Sequence, residues 1–470
     1  MEATLSYIES HYAEALDGLK RFLRIPSIST QASHRGDIQA AAEWLRDEAL
    51  QAGFPVARVM QTTGHPIVYG EWLAAGPQAP TVLIYGHYDV QPPDPTELWE
   101  SPPFEPTERD GVLVARGASD DKGQTWVHLM TARAFGATLG APPVNLKLIV
   151  EGEEEIGSPS FDPFVSAHRD LLAADVALIS DTHVLGKDLP ALMVALRGLA
   201  YIEVEVTGPD HDLHSGIFGG AVRNPINALC AMLASLQDET GRILVDGFYD
   251  RVRPLSPEER EEFCRIPFDR STWLQEAGVS TDWGEAEYSI LERTSARPTL
   301  DINGIWGGYT QPGAKTVLPS KAFAKLSTRL VPDQNHKEIT RLMEAQLQKI
   351  APPSVTVQVR DLHGGEPASV RQDSVAMRAA VRAYAEAFGT TPVFMREGGS
   401  IPVVTTFQRY LGIDTILMGF GLPDDRLHSP NEKLDLLMFR RGMETSARFM
   451  AYLREAFLDC VEGQAGADTA

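Results

Sequence analysis

The chain has 470 residues, with 43% hydrophobic, 23% charged and 8% aromatic side chains, close to the globular average and far from disordered, collagen-like or fibrous compositions. Its 42 Lys and Arg against 64 Asp and Glu leave a formal charge of −22, which repels phosphate backbones and anionic headgroups and so excludes nucleic acid and a membrane surface as expected partners. Cys230, Cys264 and Cys460 are too far apart for a disulfide framework or thiolate metal site, and the opening MEATLSYIESHYAEALDGLK lacks an export signal, so a cytoplasmic location is expected.

Apolar residues recur at helical spacing over 40–52, and short β-branched runs follow. TVLIYG at 81–86 and VNLKLIVE at 144–151 are the clearest, with helices expected at 121–135 and 161–173 and a third run, VALISD, at 176–181. Strands alternating with helices imply a mostly parallel sheet flanked by helices. Ligands bind beyond the carboxyl ends of such strands, which directs attention to His87, to 151–155 and to Asp181. After Leu196 the pattern changes to half-buried alternating strands at 201–207, 322–332 and 355–361, with helices at 225–236 and 336–350. An amphipathic helix over 369–388, the apolar run TILMGF and a last helix over 431–457 resume the first pattern, and the tail after Cys460 is expected to be disordered. The expected fold class is therefore α/β: one domain built from 1–195 and 374–470, with an α+β lid domain inserted at 196–373.

GHYDV sets His87 and Asp89 two apart at a strand end, where both can face one way and the carboxylate can hold the second imidazole nitrogen. Alone, that pair is more often an ordinary strand end. RGASDDKG presents Asp120 and Asp121 ahead of a helix, a pattern that by itself suits an N-cap. EGEEEIGS crowds carboxylates at the mouth of a very apolar strand; a solvated acidic run is the bland alternative, but charges this dense call for a neutralising cation. Neighbouring glutamates there offer two jobs, one as ligand and one as base. Asp181 follows the third run and His428 stands in LHSPNEK before the last helix; each alone is more often structural. Together the motifs occupy the mouths of consecutive elements of one sheet.

The succession GHYDV, GASDDKG, EGEEEIGS, ISDTH and LHSPNEK, together with GPDHDLHSGIFGG, GAKTVLPS, STRLVPD, HGGEPA and REGGSIP, resembles the aminoacylase/carnosinase family of co-catalytic di-metal peptidases, most closely its carnosinase-type cytosolic nonspecific dipeptidases. The resemblance implies a phosphorylase/hydrolase-like catalytic domain, a lid that also dimerises, and two divalent metal ions per subunit, Zn2+ or Mn2+. Asp120 would bridge the ions, with His87 and Asp181 on one and Glu155 and His428 on the other. Consecutive glutamates leave the base open by one position; aligning on Gly157 and Ser158 makes it Glu154. Asp89 would orient His87, and the peptide bond between Asp120 and Asp121 would be cis. Arg329 would take the carboxylate of a small peptide substrate, and His214, reaching in trans across a homodimer, would stabilise the oxyanion. Thr316 would also act in trans, and His363, Gly399 and Ser400 would line the substrate pocket. The implied function is metal-dependent hydrolysis of the peptide bond of dipeptides. The alternatives are an N-acyl-amino-acid deacylase or other amide hydrolase on the same scaffold and a non-catalytic binding protein, the last disfavoured by a complete set of ligands and base. His128 and the remaining histidines match no ligand position and read as satisfied or surface residues.

Overall fold

The computed structural model describes residues 1–399 and 401–467, with side chains up to 459. The chain divides into two units, the first comprising Met1–Val194, Val370–Phe394 and Pro402–Ala470. Its sheet runs in the order Val56–Met60, Ile67–Trp72, Asn145–Glu151, Thr81–His87, Val176–Ile179, Asp414–Leu417, Ala191–Leu196. The strands from Asn145–Glu151 to Asp414–Leu417 are mutually parallel and those outside them antiparallel, so the sheet is mixed and its parallel character is confined to the centre.

Strands covered on both faces need apolar residues at every position rather than at alternate ones. TVLIYGH is accordingly buried from Val82 onward and NLKLIVE throughout. Helix Lys122–Leu139 is continuously buried from Lys122 to Ala132 and ends on Gly140, whose φ of +82° supplies the left-handed cap. The helix approaches the Thr81–His87 strand so closely that a Cβ on Gly86 would lie 1.9 Å from Thr125 Oγ1, which accounts for glycine before His87. Phe22 stacks on Trp44, and Trp126 packs tilted against both, fastening the N-terminal helices Tyr12–Leu23 and Arg35–Gln51 to this central helix.

Several boundaries differ from expectation for local reasons. The segment expected as one helix over 161–173 is two, Phe161–Ala167 and Arg169–Leu172, interrupted at His168. The helix after 369 begins at Val375, where the Ser374 hydroxyl accepts from Met377 N–H. The last helix begins at Leu436, because Lys433–Asp435 first pairs with Val112–Val114, and it continues to Ala467, into the stretch after Cys460 expected to be disordered. Residues 468–470 lie outside the described residues.

The second unit comprises Ala195–Ser369 with Met395–Ile401; the latter segment, expected in the first domain, groups here. Its four strands are antiparallel in the order Thr299–Gly307, Lys321–Leu330, Gly198–Thr207, Thr356–Gly365. Lys321–Leu330 alternates strictly, with Ala322, Ala324, Leu326, Thr328 and Leu330 buried. That face packs on helices Pro225–Ala234 and His336–Ile350 in a core of its own that includes Val204, Leu229, Met343 and Leu347. The register sets Arg329 opposite Leu199 and His363 opposite Tyr201 on the other face. Among the described residues no helix is long and apolar enough to cross a membrane.

Candidate metal centre

His87 closes its strand, Asp120 lies in the turn before helix Lys122–Leu139, Asp181 follows strand Val176–Ile179, and Glu154 and Glu155 open the short 3-10 turn Glu154–Ile156. His428 stands in the loop ahead of Lys433–Asp435 with φ +58°, and Arg426 and Asn431 on that loop are also left-handed, uncommon for residues with a side chain. The strand ends bring these groups together around Asp120. Its Oδ1 lies 3.0 Å from His87 Nε2 and its Oδ2 2.9 Å from His428 Nε2. Asp181 Oδ2 is 3.9 Å from His87 Nε2, and Glu155 Oε2 is 3.3 Å from His428 Nε2. Ligand atoms of His87, Asp120 and Asp181 all fall within 4.8 Å of one another, as do those of Asp120, Glu155 and His428.

Each group offers one imidazole and two carboxylates and they share Asp120, a donor set that fits two divalent cations of the zinc or manganese type. The first group is enclosed, with His87 wholly buried, whereas the second opens to solvent at His428, whose side chain is 55% exposed. The Asp120–Asp121 peptide bond is cis.

Burial works against charge at these carboxylates. It pushes Asp181 up to about 7, with the neighbouring Asp120 charge adding to the effect. Burial also lifts Glu154 well above the usual carboxylate range; His87 opposes this, while Asp181, Asp120 and Glu155 reinforce it. At His87 burial favours the neutral ring, but hydrogen bonds to Asp120 and Asp89 overcome it and raise the pKa. Hydrogen bonds to Asp120 and Glu155 raise His428 to about 10. Asp120 is held low despite its burial by the two imidazoles it bonds. The same carboxylates that favour a proton on either ring would favour a divalent cation in its place.

Each ligand turn is braced by another group. His87 Nδ1 lies 3.1 Å from the Asp89 carbonyl and 3.4 Å from its Oδ1, while the Asp89 carboxylate accepts from Glu154 N at 3.2 Å and Glu155 N at 3.1 Å. Asp89 thus fixes the imidazole and the glutamate turn together. Gln91 Nε2 donates to Glu155 Oε2 at 2.7 Å. Glu432, wholly buried, pairs with Arg116 at 2.7 Å and accepts from the N–H groups of Gly117, Ser119 and Asp120 at 3.0, 3.0 and 3.1 Å, suspending the turn that carries Asp120. Asp121 accepts from His87 N and Thr125 Oγ1, and Glu153 accepts from His65 N and Ser160 N, so both serve backbone and helix rather than the ligand cluster. Sequence reasoning assigned no role to Gln91 or Glu432. Glu432 stood in plain view in LHSPNEK, but the Asp120 amide it bonds lies 312 residues away in the chain.

The second unit holds the other expected residues. His214 ends the strand Leu213–His214, which pairs with Val317–Leu318, and Thr316 immediately precedes that partner strand, its carbonyl accepting from Ser215 N at 3.1 Å. His214 Nδ1 accepts from Gly216 N at 3.0 Å, which places the ring proton on Nε2. Arg329 is half-buried on the open sheet face; His363 is exposed, its ring 5.1 Å from that of Tyr201. Gly399 O accepts from Arg197 N at 3.1 Å, and Arg197 Nε donates to Gly398 O at 3.1 Å. Burial lowers Arg197 to about 10, with the Arg329 charge contributing, so this unassigned arginine links the Gly398–Gly399 turn to the face bearing Arg329. Ser400 lies outside the described residues.

Residues 83–452 match the peptidase family M20/M25/M40. The Cys-Gly metallodipeptidase DUG1 of Saccharomyces cerevisiae is 33% identical over 96% of this chain and 97% of its own length. The Beta-Ala-His dipeptidase of Homo sapiens is 34% identical over 96% of this chain and 92% of its own length. Among solved structures, human carnosine dipeptidase 1 gives a TM-score of 0.78 at 33% identity, covering 97% of this chain and 98% of that one. The M20 metallo-carboxypeptidase Sso-CP2 of Sulfolobus solfataricus gives 0.83 at 31% identity, covering 94% and 99%.

Proposed function

The chain belongs to peptidase family M20/M25/M40, and from that premise we propose that it hydrolyses the peptide bond of unblocked dipeptides with two divalent cations held around Asp120. It is a metal-dependent hydrolase acting on peptide bonds, as its relatives at 33% and 34% identity are by name dipeptidases. The observation that carries the reading is the pair of ligand groups sharing Asp120, with Glu154 beside them on the turn that Asp89 braces.

Bound cations would acidify the attacking water and polarise the scissile carbonyl. This chain's residues do the rest. His87 and Asp181 would hold one ion and Glu155 and His428 the other, with Asp120 offered to both. The Glu154 carboxylate takes the water proton as attack proceeds and returns it to the leaving amine, so no covalent acyl-enzyme forms. His214, its proton on Nε2, donates to the carbonyl oxygen as charge gathers there. Arg329 pairs with the substrate carboxylate through its fork of N–H donors. Thr316, His363, Gly399 and Ser400 complete the substrate site. We assign zinc or manganese as the ion, the cytoplasm as the location, and a homodimer formed through the second unit with His214 and Thr316 acting in trans.

The test is amino-acid release from unblocked dipeptides, N-acylated amino acids and longer peptides, run on apo, zinc-loaded and manganese-loaded protein. Cleavage of unblocked dipeptides only after metal is restored is the expected result. Cleavage confined to acylated substrates would transfer the assignment to a deacylase. Preference for longer peptides would move it toward a carboxypeptidase, the activity named for Sso-CP2.

A further inference from the structure

Helix Lys122–Leu139 carries the polar side chains Gln124, Thr125 and His128 through a buried environment, where such groups are costly unless bonded. All three are bonded: Gln124 reaches the backbone of the turn carrying Asp120, Thr125 the Asp121 carboxylate, and His128 the side chain of Ser180. Gln124 Nε2 donates to Ser119 O at 3.0 Å while its Oε1 accepts from Phe420 N at 2.7 Å. His128 bridges two serines, with Nε2 2.7 Å from Ser180 Oγ and Nδ1 2.9 Å from Ser446 Oγ.

The protons in this chain of bonds can be placed. Ser180 Oγ lies 2.6 Å from Met418 O, where only the hydroxyl can donate. Its oxygen therefore accepts from His128 Nε2–H, and Nδ1 accepts from the Ser446 hydroxyl. Burial pushes the imidazole down to about 3, which favours the neutral ring, and the bond directions select this tautomer. The bonds thus run in one direction from the last helix through the central helix to Ser180 and on to Met418, whose N–H returns to Ile179 O at 2.8 Å. Ser180 immediately precedes Asp181.

We propose that His128 is a positioning residue for the metal centre: through Ser180 it fixes the strand end from which Asp181 reaches the ion shared with His87 and Asp120. The inference rests on the two-ion reading of the site. An aliphatic side chain would fill the same space without direction, whereas the imidazole offers a donor at one edge and an acceptor at the other. Gln124, one turn earlier on the same helix, likewise holds the turn carrying Asp120, so a single helix face registers two ligand-bearing turns.

The experiment measures Zn2+ stoichiometry and affinity by competition with a chromophoric chelator, alongside thermal unfolding, for the full chain and its variants. His128→Leu is expected to weaken one of the two ions by about 10- to 100-fold, the usual effect of losing a group that orients a ligand. His128→Gln, whose amide supplies a donor and an acceptor, is expected to recover most of that loss. Thr131→Val, which removes a buried hydroxyl bonded to Val127 O and Met443 O on the same helix, controls for lost stability and should bind both ions as the parent does. The proposal falls if folded His128→Leu binds both ions with parental affinity, or if Thr131→Val loses as much. If His128→Leu does not fold, Ser180→Ala takes its place under the same two criteria. Failure of the parent chain itself to bind two ions would overturn the two-ion reading instead.

Discussion

In the first unit His87, Asp89 and Glu432 are wholly buried, and the turns bearing Asp120, Glu154 and Glu155 are each tied to a side chain from another part of the chain. In the second unit His214, Thr316 and His363 are exposed, and Arg329 rises from a sheet whose other face makes the core. On the proposed roles, the difference follows from what each set would have to do. Groups proposed to share ions need a geometry set by the fold, because buried like charges are tolerable only when protons or cations neutralise them. Groups that recognise a substrate need access to it, and side-chain bonds would compete with it. Rigidity should therefore be concentrated in one unit and tolerance to substitution in the other.

The contrast can be broken most directly at Glu154. Glu154→Gln should lower kcat by about 10²- to 10⁴-fold, the range for loss of a general base, while metal analysis still finds two ions. Asp120→Asn, altering the shared ligand, should lose metal as well. A Glu154 variant with substantial turnover would remove that residue from the mechanism.

Stability sharpens the comparison. Glu432→Leu leaves Arg116 buried without its carboxylate and should cost about 3–5 kcal/mol in denaturant unfolding. His363→Leu, on the exposed face of the second unit, should stay within about 0.5 kcal/mol. Equal costs at the two positions would contradict the division of labour.

Recognition gives the next effect. Arg329→Met should raise KM about 10- to 100-fold for dipeptides with a free carboxylate, as expected for a hydrogen bond between charged groups, with little change for carboxamide substrates. A similar increase for both substrates would show that Arg329 acts on something other than the carboxylate.

The smallest expected effect is a pH slope. Burial lowers His128 from 6.5 to about 3, so between those values the unfolded chain binds a proton that the folded chain does not. This contribution to stability is complete above pH 6.5 and declines as pH falls toward 3, by at most about 1.4 kcal/mol per pH unit for the one proton. Chemical denaturation across that window should show a shallower slope for His128→Gln than for the parent. An unchanged slope would mean that the ring is protonated where it lies.

Much of this organisation is legible along the chain. His87, Asp120, Glu155, Asp181 and His428 stand at the ends of apolar runs or beside turns, and strands buried on both faces advertise themselves by composition. Of the braces, Asp89 was legible as the partner of His87, but its bonds to the glutamate turn and the other braces were not. Gln91 and Glu432 are ordinary polar letters until folding brings Glu155 and Asp120 to them, and His128 reads only as a satisfied or surface residue, with nothing to show that it is buried against Ser180. The grouping of Met395–Ile401 with the second unit was equally hidden, because it depends on contacts such as Arg197 to Gly398 rather than on any change in local composition.

By itself, then, the sequence determined the alternation of elements, the acidic and metal-ligating character of the strand mouths, and the family to which the motifs point, all properties of residue type and local spacing. Tertiary structure decided the mixed order of the sheet, where Asp414–Leu417 enters beside Val176–Ile179, and the identity of the groups that hold each ligand turn in place. Those features depend on hydrogen bonds between segments hundreds of residues apart, such as His128 to Ser446, 318 residues along the chain, and no local propensity encodes such a partner.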